Sequence, residues 1–193
     1  MKSYNVYMSG VGGQGIGMFS EALVRAADHA GYTVKAVDTH GLAQRGGIVV
    51  SQVRIGETVH TPLVSRRSAD LVIALERHEA QRALIEMTAT GGVLVFYDTV
   101  WQPLDVRLGK APEVETAQVE ALCRQLGVEC ARVFSPDLPD TRMQNIAVLA
   151  CICRRNLIEK VSADHFRQAM TDLMAGGMLE NNLALFDREL QRN

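Results

Sequence analysis

The sequence predicts an α/β fold, a three-layer α/β/α domain with a mixed, mainly parallel sheet and additional C-terminal helices. Three observations favour it. A β-prone run at residues 4–8 ends at a glycine-rich turn that leads into a helical pattern and a second strand, which makes a βαβ unit. Further apolar runs of strand length then alternate with helical periodicity. The length of 193 residues suits a single domain over residues 1–193.

The elements follow from these patterns in chain order. Strands are predicted at residues 4–8, 33–37, 47–55, 69–75, 93–97 and 128–134, and helices at residues 16–30, 76–87, 116–126, 141–157, 162–173 and 180–190. Residues 58–60 are expected to pair with residues 47–55 as a hairpin across Gly56 and Glu57, which would add antiparallel character. Residues 98–114 lack a clear period and are predicted to be a surface excursion. Gly176 and Gly177 are expected to break the helix before them.

Composition narrows the function. The balance of 20 Lys and Arg against 22 Asp and Glu argues against a nucleic-acid binder, which concentrates basic charge on one face. The longest apolar run, residues 146–153, is far shorter than a membrane span, and the N-terminus lacks the features of a secretory signal. We therefore expect a cytoplasmic protein with no membrane partner. The four cysteines match no iron–sulfur spacing and are predicted to be inert thiols.

The first motif is the glycine-rich turn at residues 10–17. Gly10, Gly12 and Gly15 satisfy the dinucleotide pattern G-x-G-x-x-G between a predicted strand and helix, and Asp38 ends the second strand, where such an enzyme holds a ribose. A Rossmann-like domain that binds NAD or FAD is therefore an alternative. The extra glycines Gly13 and Gly17 weaken it, as does the motif that directly follows Asp38.

A glycine turn that opens a helix can also receive an anion without being a dinucleotide site. The first backbone N–H groups of the helix point outward at the positive end of its dipole. We therefore take Gly10, Gly12, Gly13, Gln14 and Gly15 as candidate cofactor-binding residues. A tight strand-to-helix turn without a ligand is the other interpretation of the same residues.

The second motif, HGLAQRGG at residues 40–47, joins the second strand to the β-prone run. Its glycines permit backbone shapes closed to other residues, and its polar side chains can be displayed at the sheet edge. Arg45 can hold a carboxylate or phosphate through its planar guanidinium, or be an exposed arginine in a structural loop. The candidate site residues of this motif are His40, Gln44, Arg45, Gly46 and Gly47.

Together the two motifs resemble a known family. GVGGQGI at residues 10–16, followed by HGLAQRGGIVVSQVRIG at residues 40–56, is similar to the gamma-type subunits of pyruvate/2-ketoisovalerate:ferredoxin oxidoreductases. The AQRGG form and the chain length are most similar to the beta subunits of indolepyruvate oxidoreductases. Residues 69–84, 91–99 and 180–186 also resemble segments of the family and occur in the same order along the chain. The segment at residues 139–142 departs from the family, where a glycine–asparagine turn is expected, and this leaves the 2-oxoacid open.

The resemblance implies a division of labour. The larger partner subunit of that family carries thiamine diphosphate, its Mg²⁺ and iron–sulfur clusters, and decarboxylates the 2-oxoacid. Electrons pass to ferredoxin and the acyl group passes to coenzyme A. The gamma-type subunit packs beside that active site and has no catalytic residue of its own. The resemblance thus implies that His40, Gln44 and Arg45 line the interface or the active site.

Overall fold

The computed structural model describes residues 3–39, 47–101, 104–110 and 112–192. Its strands are β1 (Tyr4–Val11), β2 (Val34–Thr39), β3 (Ile48–Ile55), β4 (Ala69–Ala74), β5 (Thr88–Tyr97) and β6 (Glu129–Val133). Its helices are α1 (Ile16–His29), α2 (Arg77–Glu86), α3 (Leu104–Arg107), α4 (Thr116–Leu126), α5 (Gln144–Arg154), α6 (Ala163–Leu173) and α7 (Gly176–Leu190), and a 3-10 turn (Thr141–Met143) precedes α5. The predicted fold class is confirmed.

The strands form one sheet in the order β2-β3-β1-β4-β5-β6. The pairs β1–β4, β4–β5 and β5–β6 are parallel, whereas β3 runs antiparallel to both β1 and β2. The sheet is therefore mixed and mainly parallel, as predicted. The carboxyl ends of the parallel strands and the start of β3 share one edge, which we call the upper edge.

Strand periodicity separates two apolar layers. Val6 and Met8 of β1 face a core built with α1, α5, α6 and α7, while Tyr7 between them faces a smaller core built with α2 and α4. Because successive side chains of a strand point to opposite faces, the near-continuous apolar runs of β1 and β4 are buried on both sides. The two cores give the three predicted layers.

The position of β3 is a correction to the sequence-based expectation. Residues 58–60 form no strand, so the predicted hairpin across Gly56 and Glu57 is wrong. Residues 48–55 instead insert between β1 and β2, pairing Val53 with Val6 on one side and Ala36 on the other. The alternating pattern showed that this segment is a strand but could not show its neighbours. The βαβ unit of β1, α1 and β2 is thus split by a third strand.

The C-terminal helices differ from the prediction at their ends. The long helix expected at residues 141–157 is a 3-10 turn followed by α5, which ends at Arg154. The predicted break between the last two helices exists, but it falls at Met174 and Ala175, which are extended. Gly176 and Gly177 are the first residues of α7. Ser162 caps α6 as predicted. Among the described residues, none of the helices combines the length and apolar character that crossing a bilayer requires.

Asp98 joins four elements at the upper edge. It lies just after β5, is 3% exposed, and accepts hydrogen bonds from Arg77 of α2, Thr116 of α4 and Arg132 of β6 at 2.5–2.7 Å. Burial alone would raise the pKa of this carboxyl, but the hydrogen bonds from Thr116 and Arg77 and the charges of both arginines lower it below its usual value. The carboxylate therefore stays ionised and ties the α2–α4 layer to the sheet.

Replacing Asp98 should destabilise the fold in a pH-dependent way. Asp98→Asn leaves two arginines around a neutral amide, so we expect the free energy of unfolding to fall by about 3 kcal/mol at neutral pH. Because the folded-state pKa is lowered, this stabilisation is present above the unfolded carboxyl pKa of about 3.9 and is lost as the pH falls through the folded value. Urea unfolding of the unaltered chain and of Asp98→Asn, from pH 7 to pH 3, measures their free energies of unfolding. The difference between the two should become smaller as the pH falls.

The matched control is Asp164→Asn. Asp164 also pairs with an arginine, Arg167, but its side chain is 88% exposed. Exposed pairs contribute little, so the expected change is below about 0.5 kcal/mol. Equal losses for the two variants would contradict the role assigned to Asp98.

Candidate functional site

The glycine-rich turn lies at the upper edge beside the neighbouring strands β1 and β4, whose following helices pack on opposite faces of the sheet. From the upper edge, α1 leads from β1 to one face of the sheet and α2 leads from β4 to the other. In open α/β sheets, the crevice beyond two such neighbouring strands is the usual place for a ligand. Residues 12–15 lie directly in this position. The fold thus places the first motif at the most favourable location for a binding site.

Gln14 closes the crevice from inside. Its side chain is fully buried, accepts the N–H of Val11 at 2.7 Å and donates to the carbonyl of Leu75, beyond β4, at 2.7 Å. A Cβ on Gly10 would lie 2.9 Å from the Gln14 Oε1 atom, so only glycine leaves room for this amide. These two candidate residues are engaged within the fold, where they shape the turn.

Gly13 and Gly15 form the exposed part of the turn. Both have positive φ, 102° and 78°, a backbone shape that favours glycine. Gly15 is the N-cap of α1. Among the described residues no side chain caps this helix, and its first turn contains no acidic residue. The positive end of the α1 dipole and its first N–H groups therefore face outward. This is the arrangement that the sequence predicted for an anion site.

The exposed turn forms one wall of a pocket of about 600 Å³. We call it the glycine-turn pocket. The opposite walls come from the 3-10 turn and the starts of α5 and α7. Its lining includes Gly13, Gly15, Met18, Asn145, Met178 and Asn182. The segment of residues 139–142 contributes Pro139, Asp140 and Arg142 to the rim.

The second motif meets the first at a single described residue. The carbonyl of Gly47 accepts the N–H of Gly12 at 2.9 Å. The next residue, Ile48, pairs with Val11 at the end of β1. The candidate residues His40, Gln44, Arg45 and Gly46 lie outside the described residues. The structure therefore brings Gly47 to the glycine turn and describes no contact of the other four.

Asp38 does not have the position that a dinucleotide fold needs. Because β3 lies between β1 and β2, Asp38 is two strand spacings, about 10 Å, to the side of β1. Its carboxylate accepts hydrogen bonds from Ser20 of α1 and Ser51 of β3, two buried hydroxyls. The acid binds the layers together and is not presented to a ribose. The Rossmann-like alternative is therefore not favoured.

A second cluster of charged groups lies under the turn, on the α2 face. Glu79 is 2% exposed and pairs with Arg82, whose guanidinium also donates to the Tyr7 hydroxyl at 3.4 Å. Burial raises the pKa of Glu79, and the charge and hydrogen bonds of Arg82 offset part of that rise. Neighbouring Glu76 accepts the Glu79 N–H as the α2 N-cap. Glu76 and Glu79 are buried and Arg82 is partly exposed, and together they fix the start of α2.

Sequence reasoning missed several pocket residues. Asn145 and Asn182 are 7% and 9% exposed, although both line the pocket, and neither belongs to a recognisable motif. The signal that could have found Asn145 is the polar pair Gln144-Asn145 at the start of an otherwise apolar helix.

The four cysteines are free thiols, and burial raises the pKa of Cys151. Across the described ranges, no cluster of three or more His, Cys, Asp or Glu side chains is placed to hold a metal ion.

Comparison with known proteins identifies the family. The model of the pyruvate ferredoxin/flavodoxin oxidoreductase family matches residues 5–191, nearly the whole chain. The chain therefore belongs to this family, and the resemblance predicted from the two glycine motifs is confirmed.

Among curated proteins, indolepyruvate oxidoreductase subunit IorB is similar over part of its length. The Thermococcus kodakarensis protein is 39% identical over 111 residues, which are 58% of this chain and 54% of that protein. The Pyrococcus horikoshii protein is 34% identical over 125 residues, 65% of this chain and 61% of that protein. The matched region thus spans little more than half of these relatives.

Solved structures share the fold at low sequence identity. Pyruvate oxidoreductase subunit PORC from Thermotoga maritima matches with a TM-score of 0.66 and 18% identity over 99% of this chain and 97% of that one. A 2-oxoglutarate:ferredoxin oxidoreductase from Magnetococcus marinus, solved with 2-oxoglutarate, coenzyme A and succinyl-CoA, matches with a TM-score of 0.70 and 19% identity. It covers 98% of this chain and 30% of that one. These likenesses establish the fold.

Removing the Gln14 amide should destabilise the turn and the strands beneath it. Gln14→Ala leaves the Val11 N–H and the Leu75 carbonyl buried without a partner, so we expect a loss of about 3 kcal/mol in the free energy of unfolding. Gln125→Ala on the exposed side of α4 should change it by less than about 0.5 kcal/mol. Urea unfolding compares the two, and similar losses would contradict the central role of Gln14.

Asp38 should matter for stability and not for nucleotide binding. Asp38→Ala removes the acceptor of Ser20 and Ser51 and should cost about 1–2 kcal/mol of unfolding free energy. Calorimetric titration of the unaltered chain with NAD, NADP and FAD should show no saturable binding. Affinity in the micromolar range, lost in Asp38→Ala, would restore the dinucleotide interpretation.

Proposed function

We propose that this chain is the accessory, gamma-type subunit of a thiamine-diphosphate-dependent 2-oxoacid:ferredoxin oxidoreductase of the indolepyruvate class. It packs beside the active site of a larger subunit that holds thiamine diphosphate, Mg²⁺ and iron–sulfur clusters. The complex oxidatively decarboxylates indolepyruvate or another arylpyruvate, transfers electrons to ferredoxin and forms an acyl-CoA. Family membership over residues 5–191 and the similarity to subunit IorB support this proposal.

The surface around the glycine turn carries the proposal. Met18, Ile48 and Met178 are 38%, 47% and 51% exposed, and all three lie beside the turn, on α1, β3 and α7. A group of large apolar side chains next to open backbone N–H groups is typical of a surface that another subunit covers. We call these three residues the turn patch.

The C-terminal helices add little to this surface. Met170 and Phe186 are fully buried and Met174 is 7% exposed, so they belong to the α1-side core. Met178, at the start of α7, is the exposed member. The interface that we propose is therefore centred on the glycine turn, with α7 at its border.

The proposal gives this chain a role in shaping the active site. The glycine turn, the end of β2 at Thr39 and Gly47 all lie at the upper edge, and Gly47 is hydrogen-bonded to Gly12. His40, Gln44 and Arg45, which fall between Thr39 and Gly47 in the sequence, are proposed to line the partner's active site. A cytoplasmic location belongs to the same proposal, because free buried thiols suit a reducing compartment.

Activity should require both subunits. With indolepyruvate and coenzyme A as substrates, the purified chain alone should not reduce ferredoxin. Turnover should appear when the larger subunit is added. Ile48→Glu places a charge in the turn patch and should weaken assembly at least roughly tenfold, since a buried unpaired charge is costly. Analytical ultracentrifugation of the mixture measures the affinity.

The control is Ile85→Glu. Ile85 is 52% exposed, near the end of α2, at the sheet edge opposite the glycine turn. It should leave assembly and turnover unchanged. Turnover by the isolated chain would refute the division of labour, and equal effects of the two substitutions would refute the placement of the interface.

A further inference from the structure

A second pocket opens at the upper edge, beyond the carboxyl ends of β5 and β6. Three aromatic residues line it, namely Tyr97 at the end of β5, Trp101, and Phe134 just after β6. The ring centres of Tyr97 and Phe134 lie 6.4 Å apart, with their planes tilted by 41°. We call this the aromatic pocket. Within the described chain it shares no lining residue with the glycine-turn pocket, so the two are separate sites.

Gln144 places an unused donor in the wall of the aromatic pocket. The residue is 1% exposed, and its Nε2 atom is buried without a hydrogen-bond partner among the described residues. Other polar groups of the wall are engaged, since the Tyr97 hydroxyl donates to the Ser135 carbonyl at 3.1 Å. The Ser135 hydroxyl donates to Glu189 at 2.9 Å. A buried donor without an acceptor indicates that a ligand supplies one.

The size and charge of the aromatic pocket define the group that fits it. Its volume is about 210 Å³, and a cavity of about 150 Å³ holds a benzene ring, so one ring or two fused rings fit. None of the described residues that line it is charged, so a phosphate or carboxylate would be buried there without a counter-ion. Aromatic walls favour a planar ring in offset or edge-to-face contact. The pocket therefore suits an uncharged aromatic ring that carries a hydrogen-bonding group.

The Gln144 amide can serve rings of different chemistry. A half-turn about its last side-chain torsion exchanges Nε2 and Oε1, so it can donate to a phenol oxygen or accept the N–H of an indole. A phenyl ring uses neither end of the amide and is held by apolar contact alone. The arrangement thus distinguishes aromatic rings by their polar substituent.

We infer that the aromatic pocket binds the aryl ring of the 2-oxoacid substrate. The pocket opens at the same sheet edge as the turn patch, and Phe134, 52% exposed, forms its mouth. The charged 2-oxoacid group stays outside the uncharged pocket and faces the partner subunit. This inference rests on the proposed function, because the partner carries out the decarboxylation. It assigns the choice among arylpyruvates to this subunit, with Gln144 as the residue that determines it.

Trp101 reports on binding directly, since it is the only tryptophan of the chain and lines the pocket. The probes are phenylacetate and 4-hydroxyphenylacetate, with acetate as the control that lacks a ring. Either aryl acid, titrated into the isolated full-length chain, should change the fluorescence of Trp101 saturably, and acetate should not. The phenol should bind at least roughly threefold more tightly than the phenyl ring, because it gives Gln144 an acceptor.

Gln144→Met tests the amide without removing the side-chain volume. It eliminates a buried donor that has no partner among the described residues, so the fold should persist. The variant should lose the preference for 4-hydroxyphenylacetate and bind phenylacetate within about twofold of the unaltered chain. In the two-subunit complex, it should lower the ratio of kcat/KM for 4-hydroxyphenylpyruvate to that for phenylpyruvate at least roughly threefold.

Phe134→Ala tests the aromatic wall. Its half-exposed side chain contributes little to folding, and its loss should weaken binding of both aryl acids at least roughly fivefold. The matched control is Leu63→Ala, because Leu63 is 61% exposed in the segment between β3 and β4, at the opposite edge of the sheet. It should change either affinity by less than about twofold.

Four results would overturn the inference. They are absence of a saturable Trp101 response, an unchanged preference for the phenol in Gln144→Met, equal effects of Phe134→Ala and Leu63→Ala, and binding of adenosine as tight as that of 4-hydroxyphenylacetate. The last would assign the pocket to a purine. Turnover of the unaltered two-subunit complex is measured separately, so failure of this inference and failure of the proposed function are distinguished.

Discussion

The upper edge of the sheet is organised by one buried amide. Gln14 bridges the end of β1 to the chain beyond β4, and it fits only because Gly10 has no side chain. A buried amide with both ends hydrogen-bonded is rigid, since losing either bond leaves a backbone group unpaired. The glycine turn, the direction of α1 and the shape of the glycine-turn pocket all follow from this bridge.

The insertion of β3 explains why a familiar glycine pattern leads to a different kind of site. In a dinucleotide fold, the strand that ends in the acidic residue is the immediate neighbour of β1. Here β3 occupies that place, and Asp38 is used between layers by Ser20 and Ser51. The glycine turn retains the exposed helix start but lacks the neighbouring acidic residue. The pocket beside it is completed by α5 and α7, helices that a dinucleotide unit does not need.

Much of the fold could be predicted because buried strands and amphipathic helices have strong local patterns. The failures are of two physical kinds. Strand order depends on contacts distant in sequence, so the partners of residues 48–55 were out of reach. The role of a polar residue depends on what surrounds it, so Asn145, inside the helix predicted at residues 141–157, had no feature that marked it as a pocket residue. In the site, the glycines were found by their spacing, whereas the walls opposite them come from segments without a motif.

The hydrogen bond between Gly12 and Gly47 has a consequence for protein engineering. It joins the glycine turn to the residue just before β3, more than thirty positions later in the chain. A backbone shift at either end would break this bond or displace the other end. A chimera that took the glycine turn from a distant homologue would therefore have to take the start of β3 with it.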